Sequence, residues 1–211
     1  MKKKLLFAAL LMGGCLSASA QWSFPEPVTQ GFSIAEGAES TDTLYLYNVG
    51  AHAYFTEGND WGTRASTASW GLKVYFKKFL EAPEEGEEGA AAVWDGKTYL
   101  IFDFSLTKNA WKNLFIDSAT ALYVDLGSQS NFYFSVLDNG NGTFKIYGAE
   151  RNPAFNPTEY PNSYLGVEMT TNTDGKVTIS DIINPTLDPE SATPGTNEFY
   201  TDWAFVSKEN Y

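Results

Sequence analysis

Three segments decide the fold: Thr43–Val49 (TLYLYNV), Thr98–Phe104 (TYLIFDF) and Thr143–Ala149 (TFKIYGA). Each segment begins with threonine and alternates its side chains with the two-residue period of a β-strand. Shorter β-like segments follow each one in the same order, separated by Gly, Asn, Asp and Pro. We therefore interpret the chain as a unit that is repeated three times.

Each unit contains three further predicted strands. The second strands are Tyr54–Thr56, Leu114–Ile116 and Tyr164–Gly166; the third are Arg64–Ala68, Ala121–Leu126 and Lys176–Ser180; the fourth are Lys73–Phe79, Asn131–Leu137 and Asp202–Ser207. The sequence thus predicts an all-β domain of twelve strands, in repeats of about 43–97, 98–142 and 143–211. Because the sequence ends just after the twelfth strand, we expect no further domain.

The connections between these strands carry turn residues and two insertions. Asp138–Gly142 predicts a tight hairpin between two units, and Asp95–Lys97 predicts another. The insertion Glu81–Trp94 holds five glutamates and four alanines, and we interpret it as a solvated loop rather than a helix or an acidic metal site. A second insertion covers Asn184–Thr196. A short helical turn is an option near Ser105–Asn113.

The first twenty residues have the pattern of a signal peptide. Three lysines precede an apolar stretch, and Ala18-Ser19-Ala20 provides a small-residue cleavage site. The apolar stretch is too short to span a bilayer, so we expect no transmembrane segment. Cys15 follows a poor match to a lipobox, which leaves lipidation as the minority alternative to cleavage after Ala20. Residues 21–42 predict an extended lead-in that packs on the domain.

The net charge and the cysteine count limit the kinds of ligand that the chain can bind. Without residues 1–20 the chain keeps 11 basic and 26 acidic residues, a net charge near −15. Such a surface repels nucleic-acid phosphates and anionic lipid, but it leaves neutral glycans open. The chain has one cysteine, Cys15, so a mature protein cleaved after Ala20 contains neither a disulfide nor a thiolate metal site.

Two stretches of the sequence resemble a domain found in exported bacterial proteins. Leu46–Ser66 (LYNVGAHAYFTEGNDWGTRAS) resembles its opening, and the third unit, with SYLGVE and DWAFVSKENY, resembles its closing part. That domain is similar to the ricin-type β-trefoil, and the resemblance implies a trefoil fold with a lectin-like role. Thr201-Asp202-Trp203 stands where ricin-type repeats tend to have Gln-x-Trp, so the tryptophan is kept as a core residue and the glutamine is lost.

Three clusters combine aromatic rings with carboxylate or amide groups, the combination that binds sugar rings and their hydroxyls. The candidate ligand-binding residues are Asn59, Asp60 and Trp61 in the first unit, Asp117, Tyr123 and Asp125 in the second, and Tyr160 and Tyr164, with Asn162, in the third. The competing interpretation is that Trp61 packs across the barrel end while Asn59 and Asp60 hydrogen-bond within their own turn.

No pattern in the sequence predicts catalysis. His52 is the one histidine, and it lies in the turn after the first strand, where we expect it at the surface. The sequence lacks metalloprotease, nucleotide-binding and serine-nucleophile motifs, so we expect no cofactor, no metal and no catalytic residue. We predict an exported, non-catalytic glycan-binding domain in the periplasm, at the cell surface or in the medium. The alternative is a protein–protein interaction or structural module whose partner is an envelope or host protein. A third hypothesis, a glycoside hydrolase, requires a cleft with two inward-facing carboxylates about 5 to 9 Å apart.

Overall fold

The computed structural model describes residues 27–58, 65–83, 86, 89–116, 124–127, 132–149, 165–171, 177–183 and 197–211. All regular elements among these residues are β-strands, so the all-β prediction is confirmed for the part of the chain described. The strands are β1 (Leu44–Asn48), β2 (Ala53–Glu57), β3 (Ala65–Ala68), β4 (Val74–Glu81), β5 (Val93–Ser105), β6 (Ala110–Ile116), β7 (Val124–Gly127), β8 (Phe134–Asp138), β9 (Phe144–Gly148), β10 (Gly166–Thr171), β11 (Val177–Ile183), β12 (Asn197–Tyr200) and β13 (Trp203–Ser207).

Six of these strands close into a barrel. Antiparallel pairs join β1 to β4, β4 to β5, β5 to β8, β8 to β9, β9 to β13 and β13 back to β1. Closure of the ring pairs the edge that each of these strands would otherwise present to solvent. The last pair runs through five registered positions, from Leu44 opposite Ser207 to Asn48 opposite Trp203.

The register of the ring recurs at regular intervals. Three extended pairings contain the equivalent pairs Asn48–Trp203, Asp103–Val74 and Gly148–Phe134. The three pairings between them each consist of a single pair: Leu44–Val74, Tyr99–Phe134 and Phe144–Trp203. Each of the three longer pairings continues by one more backbone hydrogen bond. The donor amides are those of Val49, Phe104 and Ala149, and the acceptor carbonyls are those of Asp202, Lys73 and Tyr133, respectively. Extended and single pairings therefore alternate around the ring.

Hairpins project from the ring after β1, β5 and β9. β2 pairs with β3, β6 with β7 and β10 with β11, and the strands β3, β7 and β11 lie against one another. β12 adds a third strand to the last hairpin by pairing with β10. The three hairpins thus come together beside the barrel.

Large apolar side chains fill the barrel. Strand alternation directs every second residue inward, so each ring strand contributes one or two of them. The buried core includes Leu44, Leu46, Val74, Phe76, Tyr99, Ile101, Phe134, Phe144, Ile146, Trp203 and Phe205. Trp203 is fully buried, and its Nε1 donates a 2.7 Å hydrogen bond to the carbonyl oxygen of Leu165. The core role expected for this tryptophan is therefore confirmed.

Residues 27–42 of the predicted lead-in pack on the barrel as expected. The amide of Gln30 donates to the carbonyl of Phe205 at 2.8 Å, and the amide of Thr41 donates to the carbonyl of Phe76 at 2.9 Å. Between these anchors, Phe32 inserts its ring among the core aromatic rings of four ring strands. Its ring centroid lies 5.1 Å from those of Phe76 and Phe205, 5.2 Å from that of Tyr99 and 6.3 Å from that of Phe144.

Each of the twelve predicted strand segments overlaps an observed strand. The sequence missed β12, a four-residue strand that follows the Asn184–Thr196 insertion, and this insertion lies outside the described residues. The hairpin predicted at Asp138–Gly142 is confirmed, since the amide of Asn139 donates to the carbonyl of Thr143 at 3.0 Å.

Two local predictions are wrong. Asp95–Lys97 is not a hairpin turn: it lies inside β5, where Gly96 has φ 85° and the register with β4 shifts. The Asp95 carboxylate binds the amides of Lys97 and Thr98 there and stabilises the irregular backbone. Ser105–Asn113 is not helical either, because Leu106–Asn109 form a turn that leads directly into β6.

Candidate functional site

Most of the predicted ligand-binding residues lie outside the described part of the chain. Asn59, Asp60 and Trp61 fall in 59–64, Asp117 and Tyr123 in 117–123, and Tyr160, Asn162 and Tyr164 in 150–164. Asp125 is the exception: it lies in β7, where its backbone pairs with Phe115 of β6. The assignment of these residues to a ligand site therefore remains a prediction.

A concave polar site lies at the junction between β1 and β13. Its cavity, of about 220 Å³, is lined by Val49, Gly50, Tyr200, Thr201 and Asp202. We call it the Asp202 pocket. Val49 and Gly50 come from the turn after β1, Tyr200 ends β12, and Thr201 and Asp202 connect β12 to β13. The pocket therefore depends on the return of the chain to its first ring strand.

Polar contacts position the Asp202 carboxylate. Its Oδ1 accepts hydrogen bonds from Lys145 Nζ at 2.8 Å and from Asn139 Nδ2 at 3.1 Å. Lys145 Nζ also donates to Thr201 Oγ1 at 2.7 Å. Asp202 Oδ2 makes no hydrogen bond with any residue that the structure describes. Among the described residues, the carboxylate is thus held through one oxygen, Oδ1.

Tyr200 lines the same pocket, and its side chain also packs against the hydrophobic core. Its ring lies directly against Gly50, so closely that a Cβ at position 50 would overlap it. The carbonyl of Tyr200 accepts a 2.9 Å hydrogen bond from the Asn48 side chain, which ties β12 to the end of β1. The pocket therefore combines a ring, a carboxylate and neighbouring hydroxyl and ammonium groups.

An aromatic surface lies on the outer side of β4, β5 and β6. It consists of Tyr75, Phe102, Phe104 and Trp111, and we call it the Trp111 face. Tyr75 stacks on Phe102 with ring centroids 4.8 Å apart and 9° between the planes, and Trp111 packs edge-on to both Tyr75 and Phe104. Trp111 is 41% exposed. This surface has no counterpart among the predicted clusters.

A buried carboxyl group distinguishes β5. Asp103 is fully buried, and neither of its side-chain oxygens has a hydrogen-bond partner among the described residues. Its pKa is raised to about 8: burial is the largest cause and the nearby Glu57 carboxylate adds to the rise, while its own backbone amide and Lys112 offset part of it. Glu57 itself accepts hydrogen bonds from Ser105 and Thr107. Asp103 therefore adjoins a second carboxylate, but it has no access to a substrate.

His52 is exposed, as predicted, and has φ 50°; its Nδ1 lies 3.3 Å from the Tyr47 hydroxyl. Within the described residues, no group of three or more His, Cys, Asp or Glu side chains is arranged to hold a metal ion. The same part of the chain contains no helix that is long and apolar enough to cross a membrane.

A second cavity, of about 420 Å³, opens where the lead-in meets the barrel. Residues 30–33 form one wall, and Thr41, Asp42 and Leu44 form the other. Among the described residues, Phe32 supplies the one aromatic ring in its lining, and no side chain there forms an ion pair like that of Lys145 with Asp202. It has fewer features of a sugar site than the Asp202 pocket does.

No protein-family model matches the chain, and no curated protein matches it. Among solved structures, the chain is similar to the crystal structure of the receptor binding domain of botulinum neurotoxin D, with a TM-score of 0.47 and 13% sequence identity. The match covers 79% of this chain and 41% of the toxin chain, so this chain spans less than half of that chain's length. A similarity at this level supports neither a family nor a function.

The sequence missed the Asp202 pocket because its parts are distant along the chain. Lys145 and Asp202 are 57 residues apart, and their contact depends on the pairing of β9 with β13. From the sequence, Asp202 belongs to the Thr201-Asp202-Trp203 motif and to a predicted strand, but not to a predicted ligand site. The one available signal was its position beside a core tryptophan, which places it at the rim of the barrel.

Proposed function

We propose that this chain is an exported, non-catalytic glycan-binding domain with a β-trefoil fold. A β-trefoil consists of three four-stranded repeats, whose first and fourth strands form a six-stranded barrel. The alternation of extended and single pairings supports this assignment, with β1–β4, β5–β8 and β9, β10, β11 and β13 as the repeats. In this assignment β12 is an addition to the third repeat, within the proposed bounds 43–97, 98–142 and 143–211.

The observation that supports glycan binding best is the chemistry of the Asp202 pocket. A volume of about 220 Å³ suits a single sugar ring. The Tyr200 ring offers an apolar surface to the C–H groups of a pyranose, and the carboxylate of Asp202 offers an acceptor to its hydroxyls. Hydrogen bonds to a charged acceptor are stronger than neutral ones, so one carboxylate contributes substantially to a small site.

Export is the second part of the proposal. The pattern of residues 1–20 favours cleavage after Ala20 and release into the periplasm, to the cell surface or into the medium, with lipidation of Cys15 as the alternative. Mass spectrometry of the mature N-terminus distinguishes these two routes. A mature chain that starts at Gln21 supports the first, and a lipid-modified Cys15 supports the second.

A binding role fits the described carboxyl groups better than a catalytic role does. A general acid needs a raised pKa together with access to the substrate. Asp103 has the raised pKa but is fully buried, whereas Asp202 is accessible and has a lysine partner. The ricin-type resemblance is a further support for binding, and it remains a prediction.

The test is a glycan array followed by calorimetric titration of each hit against the wild type and Asp202→Asn. Asparagine keeps the side-chain shape but removes the charge, so we expect the affinity to fall by about tenfold or more. Glu39→Gln is the matched control, because Glu39 also forms an exposed pair with a lysine, Lys77, away from the pocket. The array should cover neutral host and plant glycans.

The outcomes separate the two candidate functions. Equal affinity in the wild type and Asp202→Asn would remove the pocket from the proposal. An array without any hit would favour the alternative, an interaction or structural module that binds an envelope or host protein. That alternative predicts instead a stable complex with a protein partner that survives Asp202→Asn.

A further inference from the structure

The Trp111 face has a counterpart on the first repeat. Phe102 of β5 pairs with Tyr75 of β4, and at the equivalent position Tyr47 of β1 pairs with Ala204 of β13. Both faces lie on the outside of the barrel and continue onto the next strand of the repeat. On the first repeat this continuation is Tyr54, whose ring centroid is 5.1 Å from that of Tyr47.

The face on the first repeat is covered by a residue of the same chain. The Tyr211 ring stacks on Tyr45 with a centroid distance of 3.7 Å and an angle of 10° between the planes, and it lies edge-on to Tyr54. Its hydroxyl accepts a 2.7 Å hydrogen bond from the amide of Gly71. The occupant of this face is therefore a flat ring with an apolar surface and a hydroxyl group at its rim.

The Trp111 face lacks such a cover among the described residues, since Trp111 is 41% exposed. A pyranose has the same features as the ring that covers the first face: a flat C–H surface and hydroxyl groups around its edge. Stacked aromatic rings present such a surface at little cost in side-chain entropy, because they already pack against one another. The chemistry of the covered face thus indicates the ligand of the open one.

An exposed lysine borders the Trp111 face. Lys73 directly precedes β4, and its carbonyl accepts the Phe104 amide, so Lys73 lies opposite Phe104; Lys77 lies two residues after Tyr75 in β4. Lys77 is partly exposed, and its Nζ is 3.8 Å from Glu39. The chain as a whole carries a net charge of −12. Lys77 is thus paired with a carboxylate, and the exposed Lys73 is the cation that we assign to this face; charges beyond about 8 Å are screened at physiological salt.

We propose that the Trp111 face is a second glycan site, separate from the Asp202 pocket, and that it binds a sugar with a carboxylate, such as a uronic acid. Trp111 and Tyr75 contact the flat side of the ring, and Lys73 contacts its carboxylate. The site is independent of the neutral-glycan site proposed above, because the two use different strands and share no residue.

The experiment titrates an oligogalacturonate and a neutral galacto-oligosaccharide of the same length into the protein by calorimetry. We expect the acidic sugar to bind more tightly than the neutral one. Trp111→Ala should weaken acidic-sugar binding by about tenfold or more, as loss of a central aromatic contact commonly does. Trp70→Ala is the matched control, since Trp70 is also 41% exposed and belongs to a different surface.

A second variant keeps the test informative if Trp111→Ala does not fold. Lys73→Gln should weaken binding of the acidic sugar by about threefold, leave the neutral sugar unchanged, and reduce the salt dependence of binding.

Three results would overturn this inference: equal affinities for the two sugars, no effect of either Trp111→Ala or Lys73→Gln, or no binding of oligogalacturonate to the wild type. A protein partner whose binding is lost in Trp111→Ala, without any sugar binding, would assign the face to protein docking instead. The glycan role of the Asp202 pocket is judged separately, by the array and Asp202→Asn.

Discussion

Asn48 and Asp103 occupy equivalent positions in β1 and β5, but only the Asn48 side chain is hydrogen-bonded within the described residues. Asn48 Nδ2 donates to the Tyr200 carbonyl at 2.9 Å, and its Oδ1 accepts from the Ala51 amide at 2.9 Å. Both oxygens of Asp103 lack a partner there. Equivalent positions in the barrel thus close a turn after β1 and carry a buried carboxyl group in β5.

The first prediction concerns Asp103 and pH. Burial raises its pKa from 3.8 to about 8, so the folded state holds the proton more tightly than the unfolded state does. Its contribution to stability is fully present below about pH 4 and is lost as the pH rises towards 8, at up to about 1.4 kcal/mol per pH unit. Asp103→Asn removes this dependence. Urea denaturation should show a stability advantage of the variant that grows between pH 5 and 8.

Asp138→Asn is the control for that experiment, because Asp138 is the exposed last residue of β8. The difference in the free energy of unfolding between Asp138→Asn and the wild type should stay nearly constant over the same pH range. If the difference in the free energy of unfolding between Asp103→Asn and the wild type is also independent of pH, then Asp103 is ionised in the folded protein over this range.

The second prediction concerns the aromatic side chain that joins the lead-in to the barrel. Phe32→Ala removes ring contacts with Phe76, Tyr99 and Phe205, and we expect it to lower the free energy of unfolding by about 2–3 kcal/mol. Chemical denaturation measures this change. Val28→Ala, in the same segment at a side chain that is 65% exposed, should change stability by less than about 0.5 kcal/mol. Equal effects would mean that the lead-in does not contribute to the core.

The third prediction links Gly50 to the Asp202 pocket. A Cβ at position 50 would overlap the Tyr200 ring, so Gly50→Ala must displace that ring. We expect glycan affinity to fall by at least about tenfold, with a stability loss of about 1–3 kcal/mol. Gly31→Ala is the control, because no atom lies within 4 Å of a Cβ built there. Unchanged binding in Gly50→Ala would show that Tyr200 does not contact the ligand.

The fourth prediction concerns Tyr211 and the Gly71 amide. Tyr211→Phe keeps the stacking on Tyr45 but removes the hydroxyl that accepts the Gly71 hydrogen bond. Hydrogen exchange followed by NMR should show severalfold faster exchange of the Gly71 amide. The Ala51 amide, which is bound to Asn48 Oδ1, serves as the internal reference and should not change. Unchanged exchange at Gly71 would show that Tyr211 does not hold this contact in solution.

The sequence was sufficient to predict the strands because strand formation depends on local alternation. TLYLYNV, TYLIFDF and TFKIYGA each direct alternate residues inward, and each overlaps a ring strand. The tight turn at Asp138–Gly142 was equally local. Asp95–Lys97 misled the prediction because Asp and Gly form a bulge within a strand as readily as a turn. β12 escaped detection because Asn197–Tyr200 is only four residues long and lacks the sustained alternation of the other strands.

The sequence by itself determined the all-β character of the described residues, the approximate position of every described strand except β12, and the core role of Trp203. Only the tertiary structure decided which polar and aromatic residues share a surface. Lys145 meets Asp202 because β9 pairs with β13, and Tyr75 stacks on Phe102 because β4 pairs with β5. The physical reason is that strand alternation is set by neighbouring residues, whereas a site is set by strand pairings between residues that lie far apart along the chain.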